Sequence, residues 1–273
     1  MNGKHLWVNA LPTPGVDDYE AFCAAVLRIA RIDLHQYKRQ QMERRIRAFA
    51  QRRGVSDLGE YAQIIVRDHG ELSALLDRMT INVSQLFRNP EQWGALADEI
   101  LPALSRSVDG PIKAWSAGCS YGAEAFSLAA LSTKLDVSIR IRATDIDASA
   151  LARASEGVFS VEDIRSAPDD ITDRYFPPDA TDRRVALPEL KRLITFGRED
   201  LLTGKPPVAS FDLIMCRNVV IYFTQEARMR VHESLAHALR PGGYLLVGNT
   251  ERITQPLAGL GLETIRPFIY RRT

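Results

Sequence analysis

The run Ala114-Trp-Ser-Ala-Gly-Cys-Ser-Tyr-Gly-Ala-Glu124 constrains the fold of this chain more than any other stretch. Small and apolar residues lead out of a β-like segment into a loop hinged on Gly118 and Gly122, and the loop opens a helical pattern. About 20 residues further on, Ala143-Thr-Asp-Ile-Asp147 closes a second strand with an acidic residue, the spacing of a nucleotide-binding βαβ unit. Glycine has no side chain, so the loop backbone can approach a ligand closely. Asp145 can accept hydrogen bonds from both hydroxyls of a ribose. The spacing is Gly-x-x-x-Gly, not the Gly-x-Gly-x-x-Gly that cups a pyrophosphate. A nucleoside without a phosphate chain, such as S-adenosylmethionine, fits it better. Taken alone, the pattern weighs evenly against an ordinary strand–turn–helix.

Periodicity divides the chain. The first hundred residues read as short amphipathic helices with no β-alternation. Asp17 with Glu20 forms a cap pair before Tyr19, Phe22, Val26 and Ile29. A second helix is expected over 34–53, with Met42, Ile46 and Phe49 inward, a third opens at Asp57, and a fourth carries Leu72, Leu75, Leu76 and Met79. Asn89-Pro90 opens a helix reaching about residue 104. From Pro111 strands alternate with helices, which predicts a mainly parallel α/β sheet. Strands are placed at 112–116, 139–144, 193–196, 211–215 and 244–248, with an antiparallel pair closing the sheet over 262–271. Helices are placed at 123–134, 148–154 and 224–239, the last stopped by Pro241-Gly242-Gly243. Residues 157–192, rich in prolines and acids, interrupt the rhythm as a small insertion. The expected domains are therefore 1–90, a linker helix over 91–110, and 111–273.

Apolar content of 45% and charged content of 25% are those of a globular protein. No apolar run with a cleavage site follows Met1, and nowhere do about 18 apolar residues follow one another, so neither a leader nor membrane insertion is expected. Cys23, Cys119 and Cys216 are too scattered for a disulfide framework or a metal cluster; they are expected to be small packed residues in a reducing cytoplasm. The formal charge of +1 hides a local bias: nine basic and two acidic side chains lie between Arg28 and Arg53, a local +7. A partner with negative surface is implied, whether nucleic acid or acidic protein.

Two further stretches carry chemistry. Phe211-Asp-Leu-Ile-Met-Cys-Arg-Asn-Val-Val-Ile-Tyr-Phe223 is an apolar strand ending in Arg217-Asn218, and ligands bind at the carboxyl ends of such strands. Met79-Thr-Ile-Asn-Val-Ser-Gln-Leu-Phe-Arg-Asn-Pro90 sets Asn82, Ser84 and Arg88 in a polar segment between helices. In this order, these motifs with Trp-Ser-Ala-Gly-Cys-Ser and Ala-Thr-Asp-Ile-Asp resemble the CheR family of chemotaxis-receptor glutamate O-methyltransferases over nearly the whole chain.

That resemblance implies an N-terminal all-helical domain, a Rossmann-like S-adenosylmethionine-dependent methyltransferase sheet, and a small inserted antiparallel β-subdomain. It assigns cofactor contacts to Asn82, Ser84, Arg88, Glu124, Asp145, Asp200, Leu201, Asn218 and Val219, beside Gly118 of the loop. Arg88 and Tyr222 match the pair flanking the transferable methyl, and S-adenosylhomocysteine would be the product. Arg44 and Arg47 match arginines credited with receptor recognition, with Arg45 and Arg52 flanking; no metal is implied. Expected partners are the cytoplasmic methylation helices of the receptors, without nucleic acid, and the enzyme is expected to be a monomer. The family loop Ser-Thr-Gly-Glu-Glu-Pro-Tyr-Ser departs here to Ser120-Tyr-Gly-Ala-Glu-Ala-Phe-Ser127, and Asp200 stands where Asn is usual, which implies altered cofactor binding. Some members dock a receptor's C-terminal peptide through a glycine-containing hairpin; residues 179–196 hold no glycine, so that tether is not expected. A non-catalytic S-adenosylmethionine-binding regulator or scaffold, and a methyltransferase acting on RNA, are the competing readings. No aromatic residues interleave the basic run as an RNA-stacking platform would require.

Overall fold

The structure, a computed structural model, describes residues 17–79, 82 and 84–273. The start of the chain, on which the no-leader expectation rests, and Thr80, Ile81 and Val83 of the polar segment lie outside the described residues. The chain divides into two compact units at residues 79 and 80. That is eleven residues before the expected boundary, because Leu86 and Phe87 are buried with Trp93, Leu96, Leu101 and Leu104 in the second unit's core.

The first unit is helical throughout its described residues. Helix α1 (Asp18–Ala30) starts where the Asp17 carboxylate accepts from the Tyr19 N–H at 3.0 Å, and it buries Tyr19, Phe22, Cys23 and Val26. The expected long second helix is broken: a 3-10 turn at Leu34–Gln36 precedes α2 (Arg39–Arg52). Asp33 explains the break, since its carboxylate caps the turn at the His35 N–H. Met42, Ile46 and Phe49 face inward as expected. Helices α3 (Leu58–Arg67), capped by Asp57, and α4 (His69–Met79) complete the bundle, with α1 against α3 and α4 against both α2 and α3. Phe22 and Tyr61 stack at its centre, ring centroids 6.0 Å apart.

The second unit opens on α5 (Pro90–Ala95), which runs through a π-helical stretch at Leu96–Ile100 into α6 (Leu101–Ser107). The Leu101 N–H reaches back to the Leu96 carbonyl, a widened turn just ahead of Pro102, which has no N–H to complete an ordinary one. A seven-stranded sheet follows. Its strands are β1 (Ile112–Ala117), β2 (Ile139–Asp145), β5 (Ile194–Arg198), β6 (Phe211–Cys216), β7 (Leu239–Val247), β8 (Leu262–Arg266) and β9 (Ile269–Arg272), in the order β5-β2-β1-β6-β7-β9-β8. The first five in that order are parallel; β9 is antiparallel to β7 and to β8, the predicted closing pair.

Helices α7 (Ala123–Lys134) and α8 (Ala148–Glu156) lie against β2 and β5, and α11 (Gln225–Ala238) against β7. The alanines at 123, 125, 129 and 130 of α7 are fully buried, and their small size lets the helix approach the sheet closely. The Pro241-Gly242-Gly243 stop works differently from expectation: α11 ends at Ala238, and the three residues lie inside β7, where the register against β6 shifts. Pro241 cannot donate to a ladder, which suits an irregular stretch. The insertion is a two-stranded antiparallel sheet, β3 (Val158–Phe159) with β4 (Arg184–Val185), and two short helices, α9 (Asp169–Tyr175) and α10 (Pro188–Lys191), that rest on α7.

Candidate active site

The strand order reverses direction at β1: the chain moves outward through β2 to β5, then returns to β6 and β7 on the other side. The carboxyl ends of β1 and β6 lie side by side at this reversal, the position at which parallel sheets generally bind ligands. The motifs singled out from sequence meet on this rim. Both the Gly118 and Cys119 N–H groups donate to the Thr144 carbonyl, at 2.8 and 2.9 Å, which pins the glycine loop to β2. Gly118 has φ +78°, and a Cβ there would lie 2.4 Å from Val219 Cγ2. No side chain is tolerated at that point, and Val219 closes the loop from the β6 side.

Asp145, at the end of β2, is largely buried. Its carboxylate accepts from the Ser120 N–H at 2.7 Å and the Asp147 N–H at 3.0 Å. Burial still pushes its pKa up. Lone pairs remain on both oxygens, as a ribose diol requires. Asn82 is clamped beside it: its Oδ1 accepts from Ser120 Oγ at 2.7 Å, and its Nδ2 donates to Asp147 Oδ2 at 2.6 Å. The Tyr121 hydroxyl lies within hydrogen-bond reach of both the Ser84 carbonyl and, at 2.8 Å, Asp163 of the insertion, and shares its one proton between these acceptors. Tyr121, a departure in the loop, therefore turns its hydroxyl to the polar segment and the insertion.

Glu124 stands in the first turn of α7. Ser116 Oγ donates to it at 2.6 Å, and Arg217 Nη1 approaches at 3.4 Å. Burial raises its pKa, while the Arg217 and Arg88 charges and the Ser116 bond hold it down. Desolvation outweighs the two guanidinium charges, so a further cationic group such as a ligand ammonium would be favourable there. Asn218, at φ +62°, turns the chain after β6, and the half-buried Tyr222 follows in a one-turn 3-10 helix, Val220–Tyr222. Asp200 and Leu201 lie just past the end of β5. The Asp200 carboxylate accepts from the Leu202 N–H at 2.9 Å and from Thr203 Oγ1 at 3.2 Å, so it caps its own turn.

Ser120 and Asp147 each link Asn82 to Asp145, and Ser84, Gly118, Glu124, Asn218, Val219, Asp200, Leu201 and Tyr222 lie on the loops and turns that follow or approach the same strand ends. The acceptors of this rim suit S-adenosylmethionine: Asp145 for the ribose and Glu124 for the methionine ammonium. Two residues outside the sequence-based site organise it. Arg217 is buried and bonds Gln92 Oε1, the Arg88 carbonyl and Asn89 Oδ1 at 2.7, 2.6 and 3.0 Å. Glu251, wholly buried beyond the end of β7, accepts from the Asn218 N–H at 2.5 Å and the Gly248 N–H at 2.8 Å, and burial raises its pKa. The one sequence signal for Glu251 is its place after a strand's carboxyl end. The three cysteines are buried with their thiol pKa values raised, as packed residues.

The receptor-binding candidates lie on α2. Arg44 and Arg52 are exposed. Arg45 is half-buried and donates to the Met79 carbonyl at 3.1 Å. Arg47 is half-buried, off the core face, and paired with acids: it donates to Asp18 at 2.6 and 2.9 Å and to Glu43 at 2.8 Å. The helical wheel placed Arg47 off the core face but gave no sign of the acids of α1 beside it.

Comparison with known proteins identifies the family of both units. Residues 82–259 match the family model described as CheR methyltransferase, SAM binding domain, and residues 17–80 match the CheR methyltransferase all-alpha domain. The chain is 37% identical over 259 residues to the chemotaxis protein methyltransferase of Listeria monocytogenes, covering 94% of this chain and 97% of that protein. It is 29% identical to the chemotaxis protein methyltransferase of Borreliella burgdorferi, covering 88% and 89%. Among solved structures it is similar to an S-adenosylmethionine-dependent methyltransferase from Mesorhizobium loti, with 22% identity and a TM-score of 0.31 over 55% of this chain and 54% of that one.

Proposed function

The chain belongs to the CheR methyltransferase family, and from that premise we propose that it transfers the methyl group of S-adenosylmethionine to glutamate side chains on the cytoplasmic helices of chemotaxis receptors, as a monomeric cytoplasmic protein-glutamate O-methyltransferase. The observation that carries this reading is the meeting of the glycine loop, Asp145, Glu124 and the Asn218 turn at one point of strand reversal. No helix among the described residues is long and apolar enough to cross a membrane.

S-adenosylmethionine supplies an electrophilic methyl carbon on a sulfonium. A solvated glutamate with a pKa of about 4.3 is about 99% ionised at pH 7, so no residue of this chain has to take its proton. The glutamate oxygen forms the new bond to the methyl carbon as the carbon–sulfur bond breaks, and S-adenosylhomocysteine and a methyl ester result. The work left to the protein is alignment and control of charge. Asp145 and Glu124 fix the nucleoside and the amino acid ends, Arg88 steers the incoming carboxylate, and the Tyr222 hydroxyl sets its angle. The test is incubation of the protein with radiolabelled S-adenosylmethionine and receptor cytoplasmic fragments. Base-labile label on receptor glutamates is expected; cofactor binding without transfer, or label on RNA, would refute the proposal.

Docking without a C-terminal tether is part of the same reading. The turn after Pro178 is closed on itself: the Asp179 N–H donates to the Arg183 carbonyl at 2.7 Å, and the Asp179 carboxylate accepts from Thr181 and Arg183. Those bonds hold the Asp179 pKa at about 2. Calorimetry with a receptor C-terminal peptide is expected to show no binding, and micromolar affinity would contradict this.

A further inference from the structure

The backbone around Arg88 is in an unfavourable conformation. Phe87 and Asn89, its two neighbours, both adopt left-handed conformations, φ +55° and +60°. Such angles are uncommon for residues other than glycine. Asn89 also precedes Pro90, a position that proline restricts toward extended conformations, yet Asn89 has ψ 75°. A turn of this kind persists only where its surroundings enforce it.

Contacts from α7, α5 and the end of β6 enforce it. The Phe87 N–H donates to Ser127 Oγ of α7 at 2.9 Å. The Arg88 carbonyl accepts two bonds, from Trp93 Nε1 at 2.9 Å and from Arg217 Nη2 at 2.6 Å. The same Arg217 nitrogen reaches Asn89 Oδ1, and Nε reaches Gln92 Oε1 at 2.7 Å. Gln92 in turn donates to the Val247 carbonyl at 2.9 Å, so the network is anchored in β7 as well as β6. Only 3% of the Arg217 side chain is exposed, and burial pushes its pKa down. Burying a guanidinium is costly unless every donor is used. Here most of the fork is spent on the backbone and side chains of one turn, and its carboxylate partner Glu124 is the longest contact.

We propose that Arg217 is a positioning residue for methyl transfer, which holds the Arg88 turn in its left-handed conformation so that the Arg88 guanidinium is presented to the incoming carboxylate. The inference rests on the role of Arg88 given above. The planar fork matters, because an ammonium cannot bond the Arg88 carbonyl and the Gln92 side chain with the same geometry.

Two variants of the full chain test it. Arg217→Lys keeps a positive charge near Glu124 and loses the fork. Asn89→Gly removes one acceptor, and glycine tolerates the left-handed turn without cost to folding. A misplacement of about 1 Å costs on the order of 100-fold in rate, so kcat for receptor methylation is expected to fall about 100-fold in Arg217→Lys and about tenfold in Asn89→Gly. The S-adenosylhomocysteine Kd is expected to stay within about threefold, and Asn89→Gly to keep its Tm. Should Arg217→Lys fail to fold, Asn89→Gly decides alone. A kcat within twofold of the parent, equal losses in kcat and cofactor affinity, or a crystal structure of Arg217→Lys with the Arg88 turn unmoved would overturn the assignment. An unsubstituted enzyme that binds the cofactor and methylates no receptor fragment would overturn the functional reading itself, and the positioning role with it.

Discussion

Arg88 shows how little of a residue's role lies in its own side chain. Its carbonyl is the acceptor around which Trp93 and Arg217 are arranged, while its guanidinium contributes charge that is felt at Glu124. Truncation to alanine leaves the carbonyl network in place and removes the guanidinium. Arg88→Ala is therefore expected to lower kcat by about 100-fold or more, with cofactor affinity changed by less than about tenfold, as for a group used mainly in the transition state. Isothermal calorimetry beside initial rates checks this, and an unchanged methylation rate would refute the steering role. Asp200 makes the opposite point. Its carboxylate accepts from the Leu202 N–H and the Thr203 hydroxyl, the local bonding that Asp favours in turns, and so shapes its own turn whatever else it binds.

Among the elements, α11 carries a titration unrelated to chemistry. His232 is buried on its sheet-facing side, and desolvation lowers its pKa to about 4. A group with a depressed folded pKa stabilises the fold above its unfolded pKa, about 6.5, and that contribution is lost as pH falls through the folded value. Stability is thus expected to fall between about pH 6.5 and 4 by up to about 3 kcal/mol from this residue. Urea denaturation at several pH values should show the slope in the parent and a shallower one in His232→Leu. Equal slopes would mean that the imidazole is not held neutral. Element identity was largely legible from periodicity: α7 spans the predicted residues, and the predicted strands are present with ends shifted by a few residues. The two misplacements came from residues whose action depends on partners. Asp33 broke the second helix by capping a turn, and Pro241-Gly242-Gly243 was absorbed as an irregularity in β7.

For the molecule as a whole, the basic stretch is less uniform than its charge suggests. Arg39 and Arg47 are spent within the helical unit, on Asp17, Glu20 and Glu43 and on Asp18 and Glu43. Exposed Arg44 and Arg52 are what remains for an acidic partner among the four candidates. Charge reversal at both, Arg44→Glu with Arg52→Glu, is expected to raise the receptor KM several-fold at low salt and to flatten its salt dependence, because exposed charges are screened over about 8 Å at physiological ionic strength. Cofactor affinity should not move. Steady-state rates from about 0.01 to about 0.15 M salt, over which the Debye length shrinks from about 30 to about 8 Å, check this, and an unaltered KM would place docking elsewhere. Arg47→Glu, by contrast, is expected to lower Tm, since it sets a third carboxylate beside Asp18 and Glu43.

What the residues determined by themselves was the class of each element and the edge on which the chemistry gathers. Hydrophobic period, glycine hinges and strand-end polar residues act over a few positions, and the reversal of strand order brings those ends together. What only the tertiary structure decided was which polar groups hold the site. Arg217 and Gln92 are separated by 125 positions, Arg217 and the Arg88 carbonyl by 129, and Glu251 and the Asn218 N–H by 33. A buried charge finds whatever partners packing places within hydrogen-bond reach, and no local pattern encodes that distance.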